Sequence, residues 1–150
     1  MTPLLPFTLR AATSGDYRWL WELKRETMRG YVEQTWGSWD DFAQENFFRR
    51  SFTANAIQIV VLDRTDVGLL HVEREPRELF LANIQIAPAF QNRGVGTAVV
   101  QTVLESSCTL SLPVRLQVLK VNTSARRLYE RLGFVLVGES HTHLMLRWTP

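Results

Sequence analysis

Cysteine is nearly absent from this sequence, and lysine is scarce: one Cys and two Lys stand among 150 residues. The lone Cys108 excludes an intrachain disulfide and any multi-cysteine metal site. No apolar run approaches membrane-spanning length. Met1 to Pro6 has neither the basic nor the long apolar region of an export signal. Together these absences point to the cytoplasm and away from a membrane. No dense basic run with interleaved aromatics is present, which argues against a nucleic-acid partner. Internal repeats, low-complexity stretches and domain linkers are missing too, so residues 1–150 read as one domain. A chain of this length buries roughly two-thirds of its unfolded surface.

What charge there is lies unevenly. Residues 1–90 hold 10 Lys/Arg against 12 Asp/Glu, and residues 91–150 hold 7 against 3. A basic second half suits a polyanionic ligand, and an acidic first half suits a cationic substrate, although sums this small also arise by chance.

The most informative stretch runs from Leu79 to Ser106. Leu79–Ile86 is rich in residues that suit a pleated surface, and Ala87-Pro88 stops it. Gln91-Asn92-Arg93-Gly94-Val95-Gly96 then leads into Thr97–Leu104, whose apolar residues recur at helical spacing. Two glycines at a helix mouth let the backbone bring several unpartnered N–H groups to one point, where the helix dipole adds positive charge. Such a mouth suits phosphate oxygens; equally, a strand-to-helix turn can need two glycines for geometry alone. A P-loop is excluded, because Gly94-Val95-Gly96-Thr97 has no lysine. A dinucleotide fingerprint is excluded as well: Val99 stands where a third glycine belongs, and Val114–Gln117 contains no acid.

Taken in order, Phe7–Arg10 reads as a first strand, and Ser14-Gly15-Asp16 offers capping chemistry for a helix that Gly30 loosens or ends. Tyr31 to Trp39 reads as a connection carrying three large aromatics and Glu33; it either packs two helices together or forms a substrate wall. Ser38 with Asp41 resembles a capping box opening a second helix with Phe42, Phe47 and Phe48. Ala56–Leu62, a turn at Asp63–Asp66, Val67–Val72 and Leu79–Ile86 predict three successive antiparallel strands. Val114–Val121 alternates as a strand, parallel to Leu79–Ile86 because a helix joins them. Asn122-Thr123-Ser124 starts a last helix, Gly133 ends it, and Phe134–Val137 and His143–Trp148 make a terminal strand pair.

The segment Asn122-Thr123-Ser124-Ala125-Arg126-Arg127-Leu128-Tyr129-Glu130-Arg131-Leu132-Gly133-Phe134, taken with Gln91-Asn92-Arg93-Gly94-Val95-Gly96, resembles the GNAT superfamily of acetyl-CoA-dependent N-acetyltransferases. The family pairs Gln/Arg-x-x-Gly-x-Gly/Ala with a later Asn-x-x-Ala-x-x-Leu-Tyr-x-x-x-Gly-Phe, and both stand here in order at the family's separation. The resemblance implies an α/β (α+β) fold with a mixed, mostly antiparallel sheet of about six to seven strands flanked by about four helices. It implies acetyl-CoA as the acetyl donor and a small-molecule or peptide amine as the acceptor. Cys108 at a helix end reads as inert, so direct transfer is expected; with no metal-ligand spacing no metal is expected, and a homodimer stays open.

The same resemblance implies roles for individual residues. The pantetheine arm pairs with the main chain at Ile84, Gln85 and Ile86. Pyrophosphate sits on the N–H groups from Gln91 or Asn92 through Gly94, Val95, Gly96 and Thr97, with Arg93 adding a phosphate contact. Asn122 bonds the cofactor arm, Ala125 keeps its approach open, and Tyr129 places its hydroxyl near the thioester sulfur. Tyr31, Glu33, Trp36 and Asn83 are the candidate acceptor contacts. Relatives that acetylate ribosomal-protein N-termini carry a glutamate where this chain has Gln117, and another group carries one where this chain has Phe80. With both missing, Glu33, His71, Glu73 or a water chain are the candidates for the base. Polyamines, amino-sugar antibiotics, amino acids and peptide termini all stay open as acceptors. A non-catalytic acyl-CoA-binding or sensing domain of the same fold is the alternative.

Overall fold

A computed structural model describes residues 6–150. Met1–Leu5, which carry most of the segment read for an export signal, lie outside the described residues. The elements in order are β1 (Phe7–Ala11), α1 (Tyr17–Trp36), α2 (Asp41–Ser51), β2 (Ile57–Leu62), β3 (Thr65–Arg74), β4 (Leu79–Ile86), α3 (Val95–Leu110), β5 (Val114–Leu119), α4 (Thr123–Arg131), β6 (Val135–Glu139) and β7 (His143–Trp148). The strands form one sheet in the order β1-β2-β3-β4-β5-β7-β6. Every pairing is antiparallel except β4 with β5, which a helical crossover makes parallel. This is the mixed, mostly antiparallel sheet with four helices that the resemblance implies.

Three expectations around the first two helices fail. α1 does not end at Gly30; it continues to Trp36 and is stopped by Gly37, which adopts φ 90° and donates its N–H to the Glu33 carbonyl. A glycine inside a helix costs only about 1 kcal/mol, and packing on both sides of Gly30 outweighs that. Tyr31–Trp36 are therefore the last turns of a helix and not a loop. α2 is capped by Asp40, whose Oδ1 accepts from the Ala43 N–H at 3.0 Å, and not by Ser38.

Helices cover both faces of the sheet. On one side, α3 presses Val99, Val100 and Val103 onto Leu70, Leu81 and Leu116. On the other, Leu20 and Trp21 of α1 and Phe48 of α2 cover Ile57, Ile59 and Leu69. β2 turns into β3 through Asp63 and Arg64, both left-handed (φ 50° and 63°), as a two-residue hairpin matching strand twist requires. Arg10 ties β1 to the start of α1 and to β3 through Asp16 (3.0 Å) and Asp66 (2.9 Å). That guanidinium, with the Thr13 N–H, holds the Asp16 carboxyl at about 2.

Gly68 governs how closely β3 approaches β4. A Cβ there would collide with the Gln85 carbonyl oxygen and stand 2.8 Å from Ile86 Cδ1. Gly68→Ala should therefore destabilise the protein by about 1–3 kcal/mol, read as a lower urea midpoint. An unchanged midpoint would mean that the β4 backbone yields there at no cost.

Candidate active site between two diverging strands

The site begins with a break in the sheet. β4 pairs with β5 only at Leu79↔Val114, Phe80↔Arg115 and Leu81↔Leu116. Beyond that, β5 stays with β7 to Leu119, and β4 stays with β3 to Ile86. The register explains the divergence. Val72 faces Leu81 while His71 faces Asn83, so Ala82 is an extra residue on β4, and such a bulge bends its strand. The backbone of β4 beyond Ala82 is left with an open edge toward β5.

A cavity of about 510 Å³ lies on the α3–α4 side of this opening. Ile84, Gln85 and Ile86 form one wall, and the loop from Gln91 to Thr97 forms another, Arg93 excepted. Asn92 (φ 61°) and Gly94 (φ 82°) are left-handed and turn the chain into α3. The first helical bond is Ala98 N–H to the Gly94 carbonyl, so the N–H groups of Val95, Gly96 and Thr97 have no helical partner. Gln91 holds the loop to β4 by donating from Nε2 to the Ile86 carbonyl at 2.9 Å. Arg93 stacks over Phe90, 5.5 Å from its ring centre, and does not reach the cavity. Arg127 and Arg131 border it instead. Sequence reading missed this pair, although two arginines four apart beside Leu128 and Tyr129 were a usable signal.

A second cavity, about 710 Å³, lies under α1 and α2. The two cavities share Met28, Ile84, Gln85, Asn122, Ala125 and Tyr129, which mark where they meet. Asn122 caps α4, its Oδ1 accepting from the Ala125 N–H at 3.2 Å, which leaves its amide NH2 free. Tyr129 is buried edge-on against Phe134, and its hydroxyl has no hydrogen-bond partner among the described residues. Burial pushes its pKa up to about 12, because the phenolate loses solvation. Gln85 is 5% exposed; its Nε2 donates to Asn83 Oδ1 at 3.2 Å, and its Oε1 is buried without a donor.

The candidate acceptor residues are only partly brought together. Trp36 and Asn83 line the larger cavity, whereas Tyr31 lines the smaller one. Glu33 borders neither; it sits on the exposed side of α1, 2.8 Å from Arg29. His71 and Glu73 also stand outside both cavities, with His71 Nε2 3.4 Å from Glu73 Oε1. Gln117 does line the larger cavity. Phe80 does not, and lies under the Arg115 guanidinium, 4.2 Å from its ring centre. Lys24, Gln44, Phe47, Arg50 and His143 also line that cavity, and nothing in the sequence alone marked them as site residues. No cluster of His, Cys, Asp or Glu able to hold a metal ion occurs among the described residues.

Solved structures similar to this one include PaiA N-acetyltransferase from Thermoplasma acidophilum in complex with coenzyme A, with TM-score 0.77 and 14% identity over 97% of this chain and 100% of that one. The ribosomal-protein-S18-alanine N-acetyltransferase of Escherichia coli gives TM-score 0.70 and 15% identity over 96% and 94%. A variant of spermidine N-acetyltransferase from Vibrio cholerae gives 0.65 and 23% over 95% and 93%. At these identities the likeness is one of fold. No curated protein matches the chain in sequence. The model of the acetyltransferase (GNAT) domain matches residues 54–136, more than half of the chain and all of the segment from β2 to the start of β6. The chain belongs to the GNAT acetyltransferase family.

Proposed function

We propose that this protein moves an acetyl group from acetyl-CoA directly to a primary amine, with residues 1–150 acting as one catalytic unit. The observation that carries the reading is the meeting of two cavities at Tyr129 through the gap between β4 and β5. The residues fit an acyl-CoA. Unpartnered N–H groups at the mouth of α3 suit its pyrophosphate, Arg127 and Arg131 add cations beside them, and the open edge of β4 offers main-chain groups to its amide arm. Bound there, acetyl-CoA supplies a thioester already activated toward an amine.

The chain's own part is placement and proton handling. The amine nitrogen forms its bond to the acetyl carbon as the carbon–sulfur bond breaks. Tyr129, fully protonated at neutral pH, gives its proton to the leaving sulfur and is reprotonated from solvent. The amine must shed a proton, yet no described residue lining the larger cavity is Asp or Glu. That proton goes to water or to His143, the imidazole that lines the same cavity, so amines of low pKa are favoured. At pH 7.5 roughly a quarter of a chain-terminal α-amine near 8 is neutral, against about 0.1% of a lysine-like amine near 10.4. The empty place of a carboxylate also keeps a non-catalytic acyl-CoA-binding role in view. Calorimetry should show CoA binding without added metal or nicotinamide, and acetyl-CoA should release free thiol with at least one member of an amine panel. No binding at millimolar CoA removes both readings. Binding without thiol release leaves the sensing role.

A further inference from the structure

We propose that the acceptor is a primary amine that also carries an oxyanion, held by Lys24 and Arg50 with its nitrogen delivered to Gln85. This rests on the acetyl-transfer reading of the same cavity and deepens it. The first half of the sequence is acidic, but its acids are not in the cavity. The titratable groups that line it are Lys24, Arg50, Tyr129 and His143, and none of its described lining residues is Asp or Glu. Neither Lys24 nor Arg50 forms an ion pair among the described residues, whereas Arg25, Arg29 and Arg49 on the same two helices all do. The Lys24 ammonium lies 5.2 and 5.4 Å from the ring centres of Phe47 and Phe48, so among the described residues aromatic faces are its only close favourable partners. Burial lowers the Lys24 pKa, as expected for a cation without a counterion. An oxyanion in the cavity supplies that counterion.

The other end of the cavity needs the opposite chemistry. Gln85 lines both cavities where they meet, and its Oε1 is a buried acceptor with no donor among the described residues. A buried acceptor left unpaired is costly, and an amine N–H arriving there satisfies it. Trp36 and Phe47, both more than half exposed, flank the same space and suit an apolar body between the two polar ends. A polyamine fits worse, because its second ammonium would face Lys24 and Arg50 with no Asp or Glu among the described lining residues.

Matched acceptors that differ only in the oxyanion test this: phenylalanine against phenethylamine, and 2-aminoethyl phosphate against ethanolamine, with spermidine as the polycation. Thiol release from acetyl-CoA should show kcat/KM about 10- to 100-fold higher for the oxyanion member of one pair, and the pair that responds tells carboxylate from phosphate. Lys24→Met and Arg50→Gln should each pull that ratio toward one, while Lys24→Arg preserves it. A parent ratio of one or below overturns the proposal. Binding is read separately by calorimetry with CoA, where no turnover occurs. Oxyanion-dependent binding without thiol release upholds the oxyanion-amine ligand class at Lys24 and Arg50 and removes the acetyl-transfer reading. Equal binding of both members of each pair overturns the acceptor class even when transfer proceeds.

Discussion

Tyr129→Phe is expected to lower single-turnover acetyl transfer by about 100- to 10,000-fold, the range for losing a positioned general acid. CoA affinity should stay nearly unchanged. The ring is buried against Phe134, and phenylalanine keeps that contact while removing only the hydroxyl. Alanine would open a core void and confuse folding with chemistry. Single-turnover rates are the proper measure, because slow product release can hide the chemical step in kcat. A tyrosine near 10 would ionise across pH 9–11, but burial places this one at about 12 and keeps it a proton donor through that range. The parent rate at saturating acceptor should therefore not fall between pH 8 and 10. Transfer by the phenylalanine variant at the parent rate would make Tyr129 a packing residue, with the sulfur leaving unaided or taking its proton from water.

The other large effect is expected at the mouth of α3, where two glycines serve for different reasons. Gly94 adopts φ 82°, which a β-branched residue resists, so Gly94→Val should cost about 1–3 kcal/mol of stability and turn N–H groups away from the phosphates. Losing one hydrogen bond to a charged group weakens CoA binding by about tenfold or more. Gly96 has no such strain. A Cβ there would stand 3.6 Å from Leu128 Cδ1 and 3.9 Å from Ile86 Cγ1, ordinary contacts on the cavity wall. Gly96→Ala should therefore keep its stability while its Cβ narrows the space next to the loop and weakens CoA binding. Calorimetry and urea unfolding on both variants separate conformation from access. Parent affinity in both folded variants would mean that the loop serves another purpose.

Much of this architecture was legible in the residues, because it depends on local chemistry. The alternating and helical apolar patterns mark the strands and helices within a few positions, and the parallel pairing of β4 with β5 follows from the crossover helix between them. The glycine-rich mouth of α3 and the stretch from Asn122 to Phe134 are contiguous segments whose geometry is nearly self-contained. The extent of α1 is not local in this sense. Gly30 disfavours the helix, and only burial of Leu20, Trp21 and Val32 against the rest of the protein overrides it. The acceptor cavity is further still from what a linear reading can reach. Its wall is assembled from α1, α2, β4, β5, α4 and β7, so a charge count along the chain could not tell which charges enter it. Tertiary packing turned Glu33 outward to Arg29 and placed Lys24 and Arg50 at the cavity. The gap itself arises from one unpaired residue, Ala82, and a bulge exists only in the register between two strands.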